Sequence, residues 1–355
     1  MNAVVQDPRQ LRDAWSDLAA GKLRQRDIAL RLSVSEAELL ASRAGIDDGR
    51  GPRVTRLQSS QEAVDALIGG LGTLGPVMAL TRNDACVHEK DGPYLDIDLS
   101  GHAGLVLGRR IDLRLFHHRW RHAFAVEEEG ARGTQRSLQF YLGDGSATHK
   151  VFLRPASDVD AWRALCARWA CDVQVTDLRV EPLPPTEYPI AEEPDVELFR
   201  EDWLAMTDTH QFFGMLRRHG LRRTDALRIA PPGHAHRVTN DSATRLLTTA
   251  ARSGLPIMVF VGNRGCIQIH TGPVVNIRPL DAWINVLDPD FNLHLRTDLI
   301  AESWCVTKPT EDGPVNSLEL FDADGESIAT FFGERKPGKP ELPGWPALLA
   351  TLEKQ

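Results

Sequence analysis

PVMALTRNDACVHEKDGPYLDIDL at 76–99 returns as PIMVFVGNRGCIQIHTGPVVNIRP at 256–279. The offset is 180 residues, and it holds without insertion or deletion from Pro76–Phe152 to Pro256–Phe332. Met78 pairs with Met258, Asn83 with Asn263, Cys86 with Cys266, Leu113 with Leu293, Asp144-Gly145 with Asp324-Gly325. The matched positions are apolar core types and turn formers. Solenoid units run about 20 to 50 residues, so this period predicts two fused, equivalent domains instead. Function is then sought where the copies differ, because packing alone explains where they agree.

Outward from the repeated stretch the pattern stays short and alternating. VMAL, CVHE, YLDIDL, GLVL, IDLRLF, HAFAV, SLQFYL and HKVFL read as strands of an antiparallel sheet between 75 and 155, with Asp91-Gly92 and Asp144-Gly145 as hairpin turns. Before it, residues 8–44 and 61–71 read as helices, with Gly21 breaking the first stripe. A further helix carries Trp162 and Trp169. Pro182, Pro184, Pro185, Pro189 and Pro194 lie among acidic residues and predict a stiff linker. The second copy repeats the plan: helices near 200–218 and 241–252, a sheet over 256–333, and a helix near 345–353. The expected domains are 1–180, a linker at 181–199, and 200–355. The class is α+β with internal duplication, two stacked antiparallel sheets each flanked by helices.

Of the 355 residues 42% are hydrophobic, enough for two real cores. A net charge of −8 argues against a general polyanion binder. The start of the chain carries Asp7, Arg9 and Arg12 and no apolar run, and nothing later is long enough to span a bilayer. Five cysteines without a CxxC read as free thiols in a reducing cytoplasm.

The copies differ most in a few places. Trp203, Met206, His210 and Phe213 fall on one helical face, with His210 its one polar member. From the residues alone His210 is either a hydrogen-bonded core histidine or a ligand. His219 precedes Gly220 and reads as a cation at a helix C-terminus. Arg114, beside Phe116 in an apolar strand, needs a partner. His117, His118 and His122 lack a zinc spacing and read as solvated basic surface. Lys308 and Arg335 stand where the first copy has Glu128 and Pro155. Two cations at one sheet rim suit a dianion, and ordinary surface charge is the plainer account.

Taken together, VMALTRNDACVHEKDGPYLDIDL, IDLRLFHHRW, DWLAMTDTHQFFGMLRRHG, NLHLRTDLIAESWCVTKPTEDG and SLELFDADGESIATFFGERKPG resemble the hemin-degrading factors of bacterial heme-uptake operons, the HemS/ChuS/HmuS type. The resemblance spans the whole chain. It implies heme as ligand or substrate, with His210 as axial ligand to the iron and Arg114 as distal donor, catalytic if the chain is an enzyme. It also implies Phe116 against the macrocycle and Lys308 and Arg335 on the propionates. Where such proteins carry a tyrosine and a glutamine early in the last strand, this chain has Ala329 and Thr330. His88 matches a second heme-contacting histidine of the family, with a satisfied strand histidine as the alternative. The implied role is cytoplasmic heme delivery to a heme oxygenase, supplied by an inner-membrane heme transporter, with heme degradation open.

Residues 25–40 give a rival. Ile28, Ala29, Ser33, Val34 and Leu39 fit a helix-turn-helix flanked by Lys22, Arg24, Arg26 and Arg31. The segment is either a packing unit or the DNA-binding part of a heme-responsive regulator.

Overall fold

The structure is a computed structural model and describes residues 7–20, 23–131, 133–184, 188–335 and 338–355. The expected breaker Gly21, the basic Lys22 and the linker's Pro185 lie outside these residues. The first half runs α1 (Pro8–Ala20), α2 (Gln25–Leu32), α3 (Glu36–Ala41), β1 (Arg53–Leu57), α4 (Gln61–Gly70), β2 (Val77–Arg82), β3 (Cys86–Gly92), β4 (Ile97–Asp98), β5 (Gly104–Leu107), β6 (Asp112–Leu115), β7 (His122–Gly130), β8 (Gly133–Tyr141), β9 (Ala147–Leu153) and α5 (Val159–Trp169). The second runs α6 (Val196–Leu204), α7 (Gln211–His219), α8 (Arg223–Arg228), β10 (Ala235–Val238), α9 (Ser242–Ser253), β11 (Ile257–Gly262), β12 (Cys266–Gly272), β13 (Ile277–Leu280), β14 (Trp283–Asp288), β15 (Phe291–Arg296), β16 (Glu302–Lys308), β17 (Val315–Phe321), β18 (Ser327–Gly333) and α10 (Gly344–Leu349).

Among the described residues the strands form two nine-stranded antiparallel sheets, ordered β1-β7-β8-β9-β2-β3-β15-β14-β13 and β10-β16-β17-β18-β11-β12-β6-β5-β4. The repeat is visible in the register. Ser137 faces Phe152 and Ser317 faces Phe332, and the pairing slips at Phe140/Tyr141 and again at Leu320/Phe321. The turns after β8 and β17 both place glycine in the left-handed region, Gly145 at φ 76° and Gly325 at φ 78°.

Asp91-Gly92, expected as a hairpin, instead ends β3. Asp91 takes Arg154 at 2.8 Å, and a Cβ on Gly92 would lie 2.7 Å from Arg110 Cβ. Close approach, not a turn, needs glycine there. β1 and β10 were not visible in the alternation.

The chain divides into two compact units. The first comprises residues up to Arg82, Glu89–Leu183 and Asn263–Gln268; the second comprises Asn83–His88, Pro184–Gly262 and Ile269–Gln355. In the first, Leu67 and Ile68 of α4 and Trp162 of α5 pack on Leu113, Phe140 and Val151 of the strands. In the second, Leu246 of α9 and Trp345 of α10 cover Val259, Leu318 and Phe331. Each unit includes the turn of a hairpin from the other half, and an asparagine secures it. Asn83 Nδ2 donates to the Gly262 and Ile328 carbonyls, while its Oδ1 accepts from the Ala85 and Cys86 amides. Asn263 does the same with Arg82, Thr148, Gly265 and Cys266. Among the described residues no helix is long and apolar enough to cross a membrane.

Candidate functional site

The segment from Trp203 to Phe213 is not one helix. α6 ends at Leu204, and α7 starts at Gln211 with His210 as its N-cap. The break falls on Thr207-Asp208-Thr209, whose short polar side chains compete with helical hydrogen bonds. Gln211 Oε1 accepts from the Thr207 and Asp208 amides at 2.9 and 3.3 Å, and Asp208 Oδ1 accepts the His210 amide at 2.8 Å. The break changes which residues face inward. Trp203, Met206 and Phe212 are buried, with the Trp203 and Phe212 rings 5.0 Å apart. Phe213 is 51% exposed, and the His210 side chain is 89% exposed. The expected apolar stripe is therefore corrected: Phe212 replaces Phe213 inside, and His210 is no core histidine.

Asp208 fixes the His210 ring. Its Oδ1 lies 2.7 Å from Nδ1, a geometry that in the neutral ring puts the proton on Nδ1 and the lone pair on Nε2. The Asp208 carboxyl is held below its ordinary range, first by the His210 amide, then by the His210 ring and by the charge of Arg335. Arg335 and Asp208 share a cleft of about 260 Å³ with Thr207, Thr310, Glu311 and Asp312. The cleft is polar, with the carboxylates of Asp208, Glu311 and Asp312 and the guanidinium of Arg335 in its wall.

Lys308 lies elsewhere in the same unit and is only 3% exposed. Its Nζ donates to Glu319 Oε1 at 2.7 Å and sits 4.4 Å from the Phe212 ring centroid. Arg223 grips both oxygens of the same carboxylate at 2.7 and 2.9 Å and lies 5.2 Å from the other end of that cation–π pairing, the Phe212 centroid. Burial pushes the Glu319 carboxyl up, but the two cations outweigh it and hold the group ionised. The expectation of a rim cation is corrected for Lys308: it is a buried counter-charge behind the helix that His210 caps.

The first unit builds a similar device, one carboxylate between two cations, with the carboxylate on the helix and the cations on the strands. Glu36, first residue of α3, accepts Lys150 Nζ at 2.6 Å and pairs with Arg82. Arg223 is the first residue of α8, and Gln139 and Lys150 stand where the second unit has Glu319 and Thr330. α3 keeps Glu36, Ala37, Leu39, Leu40 and Ala41 buried. A recognition helix must expose its reading face, so residues 25–40 form a packing unit.

Arg114 and Phe116 also belong to the first unit. Arg114 lies in β6, partly exposed, its Nη1 donating to Asp112 at 2.5 Å. Phe116 follows β6, half-buried, with the Arg119 guanidinium 5.5 Å from its ring. His117 is not solvated: it is 6% exposed, and its Nδ1 is 2.7 Å from Asp65 on α4. His219 at the end of α7 bonds Asp202 at 2.7 Å. His88 is fully buried in β3, 4.9 Å from the Phe291 ring centroid.

The profile of the haemin-degrading HemS.ChuX domain matches this chain twice, at residues 33–169 and 220–352. The chain belongs to that family. It is 44% identical over 330 residues to the hemin transport protein HmuS of Yersinia pestis, covering 92% of each chain. The crystal structure of holo-PhuS, described as a heme-binding protein from Pseudomonas aeruginosa, matches at a TM-score of 0.92 and 50% identity, over 99% of this chain and 100% of that one. ChuS, described as an E. coli heme oxygenase, matches at a TM-score of 0.85 and 37% identity, over 96% and 99%.

The reading of the sequence proposed His210 and Arg335 and passed over Asp208, Glu319 and Arg223. Glu319 was findable. It stands opposite Gln139 in the same comparison that exposed Lys308 opposite Glu128, so an acid and a base entered the second copy together. Asp208 carried no such signal, because its role depends on where the helix breaks.

Proposed function

We propose that this chain is a heme carrier that holds the iron through His210 Nε2 and passes heme to a heme oxygenase. The observation that carries the reading is an exposed imidazole whose Nδ1–H is already given to a carboxylate. That arrangement is what a metal-ligating histidine uses: the carboxylate fixes the tautomer and leaves one nitrogen for the metal. Leu204 and Phe213, 53% and 51% exposed on the same two helices, offer apolar surface for a macrocycle. Arg335, in the cleft with Asp208, is the propionate partner of choice. Lys308 enters as support for α7, through Phe212, and His88 is left out because full burial gives a macrocycle no access. Arg114 and Phe116, in the first unit, stay candidates for a polar and an apolar contact to heme on their chemistry alone.

Heme-binding, hemin transport and heme oxygenase are the terms used for the relatives, and they support both delivery and degradation. Degradation is the second reading, favoured by the likeness to ChuS. We place the protein in the cytoplasm, receiving heme from an inner-membrane transporter; its five cysteines are free, as in a reducing compartment. The test is reduction of the heme-loaded protein under air with catalase present. Persistence of the Soret band, with transfer to apo heme oxygenase faster than to apomyoglobin, supports the carrier. Stoichiometric loss of the band with release of a tetrapyrrole and free iron makes the chain an enzyme.

A further inference from the structure

Asp208 binds the His210 ring and shares a cleft with Arg335. One of its oxygens accepts from the His210 amide at 2.8 Å and from His210 Nδ1 at 2.7 Å. It lines the cleft that Arg335 also lines. Its own position is set by Gln211, which binds the amides of Thr207 and Asp208 and donates to Thr207 Oγ1 at 3.1 Å. The Glu311 amide donates to the Thr207 carbonyl at 3.0 Å and ties this turn to the loop that carries Thr310 and Asp312. Gln211 and Glu311 thus hold the turn that carries the carboxylate, while the carboxylate itself takes the amide and ring of His210.

We propose that Asp208 is the positioning residue of His210 and that Arg335 meters how strongly it acts. This rests on the heme reading above. A carboxylate that pulls on Nδ1–H pushes electron density toward Nε2 and makes the imidazole a stronger ligand. A neighbouring guanidinium draws on the same carboxylate and weakens that pull. A propionate that engages Arg335 gives the guanidinium another anion, and Asp208 then acts on His210 in full. Carboxylate capture and iron ligation are coupled through one side chain, so a porphyrin lacking free carboxylates is held more weakly at the iron as well as at its rim.

The sign of two substitutions tests this. The readout is the iron–histidine stretching band of the ferrous protein in resonance Raman, beside hemin titration of the full chain. Asp208→Asn keeps an acceptor and removes the charge. It is expected to lower the band frequency and weaken hemin binding by about 10- to 100-fold, the usual loss when a second-sphere partner of a metal-ligating histidine is changed. Asp208→Glu is expected to recover part of both. Arg335→Gln is expected to raise the band frequency of bound heme dimethyl ester relative to the wild type, although it binds hemin less tightly. In Asp208→Asn/Arg335→Gln that rise should vanish. A purely structural role for Asp208 would move affinity in both variants and give no opposed band shifts. If Asp208→Asn leaves the band in place while His210→Ala abolishes it, the coupling is wrong and the heme reading stands. If His210→Ala also leaves it in place, both fail.

Discussion

Glu319 holds together the part of the second unit from which His210 projects. Its carboxylate takes Lys308 and two nitrogens of Arg223, and both cations lie within cation–π distance of the Phe212 ring, two residues after His210. Removing one member of a buried charge cluster leaves the others without compensation, which costs about 3 to 5 kcal/mol. Glu319→Leu, which strands two cations, is expected to lower the unfolding free energy by that order. Lys308→Met leaves the bidentate Arg223 pair intact and is expected to cost less. Urea unfolding of both variants checks the order; equal losses would mean that Lys308 alone answers Glu319. At this scale the sequence was half legible. A cation opposite Glu128 was visible, but its burial was not, because burial depends on where α8 lays Arg223 across the sheet. His210 was visible as the odd polar residue in an apolar run, and its exposure was not.

Elements were readable where periodicity and capping agreed. Ser35 and Glu38 form a capping box, the amide of Glu38 donating to Ser35 Oγ and the amide of Ser35 to Glu38 Oε2. That spacing is a sequence signature, and α3 starts where it says. Ser35→Ala is expected to cost about 1 kcal/mol of stability and to leave hemin binding unchanged, since α3 is a packing element of the first unit. An altered Soret titration in Ser35→Ala would contradict that assignment. The helix from 200 to 218 was misread because helical spacing survives a break when apolar residues flank it on both sides. Thr207-Asp208-Thr209 was the available warning. β1 and β10 escaped notice for another reason: RVTRL and AHRV carry too few apolar residues to alternate.

At the scale of the molecule, the duplication was legible in full, down to the equivalent register slips of β8/β9 and β17/β18. The compact units were not, because each includes a hairpin turn distant in sequence. Asn83→Ala and Asn263→Ala are each expected to lose four hydrogen bonds, at about 1 kcal/mol apiece, the first acting on the second unit and the second on the first. Unfolding followed by unit-specific tryptophan signals checks this; an effect confined to one substitution would break the equivalence. A buried histidine is expected to make the stability of the first unit depend on pH. His149 is buried in the first, between Thr81 and Tyr94, where the second has Ala329. Burial drives the ring down from 6.5 to about 3. The unfolded chain therefore binds a proton below pH 6.5 that the folded one refuses until about 3, and stability falls as pH drops through that window. The contribution is about 1.4 kcal/mol per pH unit. His149→Leu is expected to flatten the urea midpoint against pH between 6 and 4 by about that slope. An unchanged slope would show that His149 is protonated in the folded protein.

His210 is proposed to supply the axial nitrogen to heme. Hemin titration of the wild type and of His210→Ala, followed at the Soret band, tests it most directly. One principal heme per chain is predicted, with the band shifted or broadened and the affinity substantially reduced in His210→Ala, while His219→Ala, tied to Asp202, leaves both as they are. An identical Soret band and affinity in His210→Ala would contradict the account.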